Sequence, residues 1–321
     1  MTDGPKRIAD LIKLPDLARG DLRLNEYSYA IFGESAAGQD IGYLLTLHAH
    51  CYLPRRPTAE QQHKHVNGPH GLMIKAGDLF DPGANDLVPQ PLPYGGKPRI
   101  LLAYVGSYAK RYKTSQIDLG SSFSDFVSNM AGSATGGVKG SLTLWQKQFA
   151  ALAAAHITVW ANFGDHAKQR QIGIADQIEI WFSREPGQRS LFPSTVTLTD
   201  RYYELVTEHA MPVDWRALKA LQGDPLALDL YTWLTYRLPR VRQRHGVLIG
   251  WADLHAQFGG TYSQVRQFRA AFNKALTKVA KVYLGAKVEP GKAGVLVRPS
   301  PPAVSRKTVV RLPHHARLDR K

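Results

Sequence analysis

One order of segments occurs twice in this chain of 321 residues, and few folds accommodate it. In the first half a short strand-like run, TSQIDLG, precedes a short helix-forming run, SSFSDFVSNM, and a Gly-rich turn, GSATGGVKGS. A longer helix then starts at Ser141, followed by two β-type runs, HITVWANFG and RQIGIADQIEIWFSR. The second half repeats the order with GVLIG, WADLHAQF, GGTYS, VRQFRAAFNKALTKVAKVY and a hairpin-like KVEPGKAGVLVRPS. Each longer helix shows a 3.6-residue period. Leu142, Trp145, Phe149 and Leu152 make one apolar stripe, and Val265, Phe268, Phe272, Leu276 and Val279 make the other. Helix, turn, helix and hairpin in that order describe a winged helix. The sequence therefore predicts an α+β fold of two tandem winged-helix domains.

The first domain is expected over residues 41–188 and the second over 189–300, because Pro186, Gly187 and Pro193 in FSREPGQRSLFPS interrupt both periodicities. Residues 1–40 read as an N-terminal extension with little pattern. Residues 301–321 carry Arg306, Lys307, Arg311, Arg317, Arg320 and Lys321 without a core pattern and read as a flexible basic tail. Within the first domain, IGYLLTLHAHCYLPRRP is an apolar run halted by Pro54 and Pro57, GLMIKAG is a strand, and 81–98 is a Pro-rich loop. The core helix ILLAYVGSYAKRY follows Pro98, and three helices between 200 and 239 open the second domain.

Charge narrows the class of partner. Lys and Arg exceed Asp and Glu by 15, a balance that concentrates polyanions at the surface. The excess is not scattered: no carboxylate side chain occurs from Phe126 to Gly164, nor from Leu254 to Val288. An ordinary surface helix mixes signs to gain i,i+4 pairs, and the helix after Ser263 forgoes every such pair. Its polar face carries Ser263, Arg266, Gln267, Asn273, Lys274, Lys278 and Lys281, with Arg269 beside them. Arg suits guanine, Asn and Gln suit adenine, and Lys suits phosphate, so this helix is predicted to lie in a major groove of double-stranded DNA. Lys287 and Lys292 on the following hairpin would meet neighbouring phosphates. In the first unit the corresponding residues are Thr143 and Lys147 on the helix and Lys168 and Arg170 on the hairpin.

Enzyme chemistry has weaker support. His48-Ala49-His50 has the His-apolar-His form that rolling-circle nicking endonucleases use to hold a metal beside a tyrosine, and Tyr104, Tyr108 and Tyr112 stand four apart on a helix. Two histidines are a short motif, however, and on a strand alternation only requires that they share a face. His63, His65 and His70 lack zinc spacing, with Cys51 the only cysteine. No Gly-rich segment ends in the Gly-Lys-Ser/Thr of a phosphate loop. The sequence predicts no enzyme, no cofactor and no metal. A lone cysteine, no apolar run of about 18 residues and no signal core predict a cytoplasmic protein without a membrane partner.

Six blocks together carry a resemblance. They are LPRR from Leu53, PYGGKPRILLAYV from Pro93, TSQIDLGSSFSDFV from Thr114, TGGVKGSLTLWQKQ from Thr135, DWRALKALQGDPLALDLYTWLTYRL from Asp214 and GWADLHAQFG from Gly250. In this order and spacing they resemble the plasmid RepA family of replication initiators. The resemblance implies a protein that binds repeated duplex sites, or iterons, at a plasmid origin, helps open the duplex, and recruits the host initiator and replicative helicase. It implies no catalytic site. It also implies monomers on iterons and a homodimer when the protein represses its own gene. A plain transcriptional repressor shares the predicted fold and would differ only in where its sites lie.

Overall fold

The computed structural model describes residues 19–81, 84–120, 122–132, 141–162, 167–179 and 195–305. The Gly-rich turn at 133–140, the expected boundary at 180–194, residues 1–18 and the tail from 306 lie outside the described residues.

The polypeptide is α+β. Helix α1 (Arg19–Gly33) stands where the sequence promised only an extension. Leu24 is buried and Tyr27 and Ile31 pack partly on the core, a stripe at i, i+3 and i+7 too short to stand out from its polar neighbours. Strand β1 (Ile41–Leu45) is buried at all five residues, the mark of a continuous apolar run rather than an alternating one. It pairs antiparallel with β11 (Ala210–Asp214), Ile41 opposite Asp214 and Leu45 opposite Ala210. A strand of the first predicted unit thus shares a sheet with a strand of the second. One cluster of buried side chains runs from Leu24 to Val297, so the halves meet through a common core.

Two expectations for the first half need correction. His48 lies in a single 3-10 turn (Thr46–Ala49) after β1 rather than on a strand, so alternation does not relate it to His50. The Pro-rich loop contains strand β5 (Asp86–Pro89), which pairs with β4 (Asp78–Asp81). The His-rich segment is itself a strand, β2 (Gln62–Asn67), paired with β3 (His70–Lys75). β7 (His156–Asn162) and β8 (Ala167–Gly173) complete a four-stranded antiparallel sheet in the order β2-β3-β7-β8. Ile74, Leu72, Ile157 and Ile172 bury one face of it.

The helices start where local chemistry places them. The Ser122 hydroxyl accepts from the Asp125 amide at 3.0 Å to cap α3 (Phe123–Ala131), and Gly132 at φ 89° ends it. Asp224 accepts from the Ala227 amide and Pro225 takes the first turn of α7 (Pro225–Arg237). Asp214 accepts from the Arg216 amide to cap α6 (Trp215–Leu221). Gly96 opens α2 (Gly96–Tyr112) because a Cβ there would stand 1.9 Å from the Gln222 carbonyl oxygen.

The repeated order of elements is present, with a difference. In the second unit β12 (Val247–Gly250), α8 (Trp251–Phe258), α9 (Val265–Val282), β13 (Val288–Pro290) and β14 (Gly294–Val297) follow in turn, and the sheet order is β12-β14-β13. The leading strand pairs with the hairpin. In the first unit β6 (Gln116–Asp118), α3 and α4 (Ser141–Ala154) precede β7 and β8, but β6 pairs with β10 (Thr195–Leu198). The run RQIGIADQIEIWFSR splits after Gly173: β8 stays with β7, and β9 (Ala175–Glu179) joins β10. The Thr199 hydroxyl donates to the Gly173 carbonyl at 2.7 Å and so fixes the corner.

A buried ion cluster ties these parts together. The Asp229 carboxylate on α7 accepts from Arg55 Nε at 2.8 Å, Arg99 Nε at 2.6 Å and Arg99 Nη2 at 3.1 Å. Arg99 also donates to the Leu53, Pro54 and Gly95 carbonyls, and Arg55 donates to the Phe258 carbonyl at the end of α8. The LPRR segment, α2, α7 and α8 converge on one carboxylate.

Candidate nucleic-acid interface

Helix α9 divides lengthwise. Phe268, Phe272, Ala275, Leu276, Val279 and Val282 are buried, whereas Val265 at the first turn is 42% exposed and does not belong to the predicted stripe. Ser263 just before the helix, and Arg266, Gln267, Asn273 and Lys274 on its N-terminal half, are exposed. Ala270 lies between them, so the polar side chains line a surface with a shallow centre. Short residues there let a helix approach base edges while the longer flanking side chains reach them.

The C-terminal half does something else. Lys278 Nζ sits 2.8 Å from the Asp224 carboxylate, and Lys281 Nζ donates to Asn25 Oδ1 at 3.1 Å. Ser28 adds a hydrogen bond to the Lys281 carbonyl. Lys278 and Lys281, predicted to contact DNA, thus also have partners within the fold, because α9 is long enough to run back over α1 and the start of α7. Arg269 is half-exposed and lies over the Trp251 ring, 4.9 Å from its centroid, a cation–π contact beside the exposed face.

On the adjoining hairpin, Lys292 is exposed in the turn closed by the Gly291 amide on the Gly294 carbonyl, and Lys287 is exposed at the base. The one acid there, Glu289, is paired with Arg298 at 3.1 Å. The net charge offered by the hairpin stays positive.

In the first unit, Leu142, Trp145, Phe149 and Leu152 are buried as their period predicts. Lys147 on α4 is exposed and Thr143 is half-exposed. Lys168 and Arg170 are exposed on β8, where they occupy the same sheet face as Ala161 and Val159 respectively.

Several basic residues escaped the sequence reading. Leu230 to Ala252 is a third window without a carboxylate, and it carries Arg237, Arg240, Arg242 and Arg244. Arg242 and Arg244 are exposed in the loop before β12. Arg240 lies 3.9 Å from the Tyr236 ring centroid, His50 meets the same ring edge-on at 4.8 Å, and the His70 ring lies 4.4 Å from that of His50. The signal for them in the sequence is the absence of acids itself, which runs from the second half of α7 into the loop before β12.

The histidines of the His-Ala-His segment and the three tyrosines lie apart. His48 is buried, and desolvation followed by the Arg99 charge lowers its pKa to about 4. His50 is lowered to about 4 as well, by burial and then by His70 and Arg240. His63 bonds the Tyr52 carbonyl at 3.1 Å and His65 the Gln257 carbonyl at 2.8 Å, so both rings join β2 to neighbouring backbone. Tyr104, Tyr108 and Tyr112 line a separate cleft with Gln39, Arg111 and Trp215, while His48 lines one with Cys51, Arg99 and Asp229. Burial raises the pKa of Tyr104 and Tyr108, which opposes phenolate formation. Burial pushes the Cys51 thiol up to about 12. Among the described residues, no three His, Cys, Asp or Glu side chains gather as a metal site, and no helix is long and apolar enough to cross a membrane.

No curated protein matches the sequence. Two crystal structures of domains 2 and 3 of RctB are similar in shape. One aligns with a TM-score of 0.49 at 11% identity, covering 78% of this chain and 95% of that one. The other gives 0.47 at 14% identity, covering 78% and 94%. The family model described as plasmid encoded RepA protein matches residues 92–253, from the entry to α2 through the first turn of α8 and half of the chain, so this protein belongs to the RepA family of plasmid replication initiators.

Proposed function

We propose that the protein initiates replication by binding repeated double-stranded DNA sites at a plasmid origin, without catalysis of its own. Family membership supplies the process, and the N-terminal half of α9 supplies the means. Arg266, Gln267, Asn273 and Lys274 are exposed together on a helix that follows a tight turn, in a window where no carboxylate competes with phosphate. That observation carries the proposal. The unit β12 to β14 is read as a winged helix whose second helix enters the major groove and whose Lys292 turn rests on the backbone. The first unit, β6 to β8, is read as a second module of the same kind, built on a larger sheet, with Lys147, Lys168 and Arg170 toward DNA.

The domain division at residues 188 and 189 is kept as a functional one, since each reader belongs to one half. Opening of the duplex, recruitment of the host initiator and replicative helicase, and a homodimer that represses its own gene complete the reading. Its setting is the bacterial cytoplasm, on plasmid DNA. Footprinting on the DNA that flanks the gene tests it: protected direct repeats spaced by about two helical turns are expected. Uniform protection without repeats refutes it.

A further inference from the structure

The four-stranded sheet has a second face that duplex reading leaves unused. Strands β2, β3, β7 and β8 contain no Asp or Glu. Registered pairs place Gln62 with Lys75 and His156, Lys64 with Met73, Thr158 and Gln171, and Val66 with Gly71, Trp160 and Gln169. Residues directly opposite one another share a face, so these three rows form one surface, opposite the buried isoleucines. Gln62, Lys64, Lys75, His156, Gln169 and Gln171 on it are exposed.

Trp160 organises the centre. A Cβ on Gly71 would lie 2.0 Å from Trp160 Cε2, so the indole lies across the backbone of β3, where only glycine leaves it room. Lys64 Nζ stands over the ring, 5.7 Å from its centroid. Trp160 is half-exposed; Val66, Gly71 and Gln169 share its row, and Lys64, Met73, Thr158 and Gln171 form the next.

We propose that this sheet face binds single-stranded DNA, with a base stacked on Trp160 and phosphates held by Lys64 and Lys75. A positive surface without carboxylates is complementary to a polyanion, and an indole laid flat offers the π-face that an unpaired base seeks. Duplex DNA hides its base faces. Four strands about 4.8 Å apart also make a surface too broad to enter a major groove about 12 Å wide once side chains are added. The inference deepens the initiator reading, on which it rests for the origin of the strand: an opened duplex exposes one.

The test uses the full chain, with fluorescence anisotropy on labelled oligo(dT) and on a duplex carrying the protected repeats. Trp160→Ala is expected to weaken oligo(dT) binding roughly 5- to 150-fold and to change duplex binding by less than about twofold. Arg266→Ala is expected to do the reverse, and Trp160→Phe to keep most of the oligo(dT) affinity. If Trp160→Ala fails to fold, Lys64→Glu combined with Lys75→Glu decides, since both side chains are exposed. Unaltered oligo(dT) binding in these variants overturns the proposal, as does parallel loss of both ligands. Loss of duplex recognition alone, with oligo(dT) binding intact in the unaltered protein, refutes the initiator reading and leaves the sheet assignment standing.

Discussion

Asp229→Asn should destabilise the protein more than any exposed charge change. The side chain is 4% exposed and takes three hydrogen bonds from two arginines, which themselves are about a tenth exposed. Asparagine keeps the volume but removes the carboxylate that, among the described residues, pairs with both guanidinium groups, and turns an amide donor toward one of them. Breaking a buried pair by removing one partner costs about 3–5 kcal/mol, because a charge stays buried without its counterion. Unfolding entropy of about 2.1 cal/mol/K per residue gives roughly 0.7 kcal/mol/K for a chain of this size, so Tm should fall by roughly 4–7 °C. Asp224→Asn is the matched control. Its carboxylate is a quarter exposed and pairs with Lys278, and asparagine caps a helix as well as aspartate does, so about 0–1 kcal/mol is expected. Calorimetry and urea unfolding of both variants measure the difference. Equal, small shifts in the two would refute the view that Asp229 is the junction of LPRR, α2, α7 and α8.

Other outcomes follow from the same geometry. Arg266→Ala should cost about 1–3 kcal/mol of binding to the cognate repeat and relax base preference at one position, measured by competition among single-base variants of the site. Lys278→Ala and Lys281→Ala should leave that preference and the affinity nearly unchanged, because both side chains are engaged within the fold; a loss as large as that of Arg266→Ala would return them to the DNA surface. Duplex affinity should fall by roughly 10³ to 10⁵ between 50 and 200 mM salt if about six to ten phosphates are contacted, and a flat titration would count against the charge argument. Acid should destabilise the fold through His48, whose folded pKa of about 4 lies below the ordinary 6.5. Its contribution is fully present above pH 6.5 and is lost as pH falls from there toward 4, because only the unfolded chain takes up the proton in that window. Urea midpoints at pH 7 and pH 5 should differ in the native protein and differ less in His48→Phe, where His50, also lowered to about 4, still contributes.

Some of this was legible in the residues. The stripes of α4 and the buried positions of α9 after its first turn follow from a 3.6-residue period, which any amphipathic helix must show. Exposure of Arg266 and Lys274 follows from their placement opposite Phe268 and Phe272. Period, capping and turn chemistry act over a few residues, so one strand of sequence contains them.

What the sequence determined by itself, then, was the order of helices, turns and hairpins, and the absence of carboxylates along α9. Only tertiary structure decided which of its cations find partners within the fold. Lys278 and Lys281 share the polar face of α9, but Asp224 and Asn25 reach them from far along the chain, and no periodicity encodes such partners. The same holds for β1 pairing with β11 and for a His-rich strand joining β7 and β8 in one sheet. Pairing between distant strands depends on which apolar faces must be covered at once, a property of the whole packed chain.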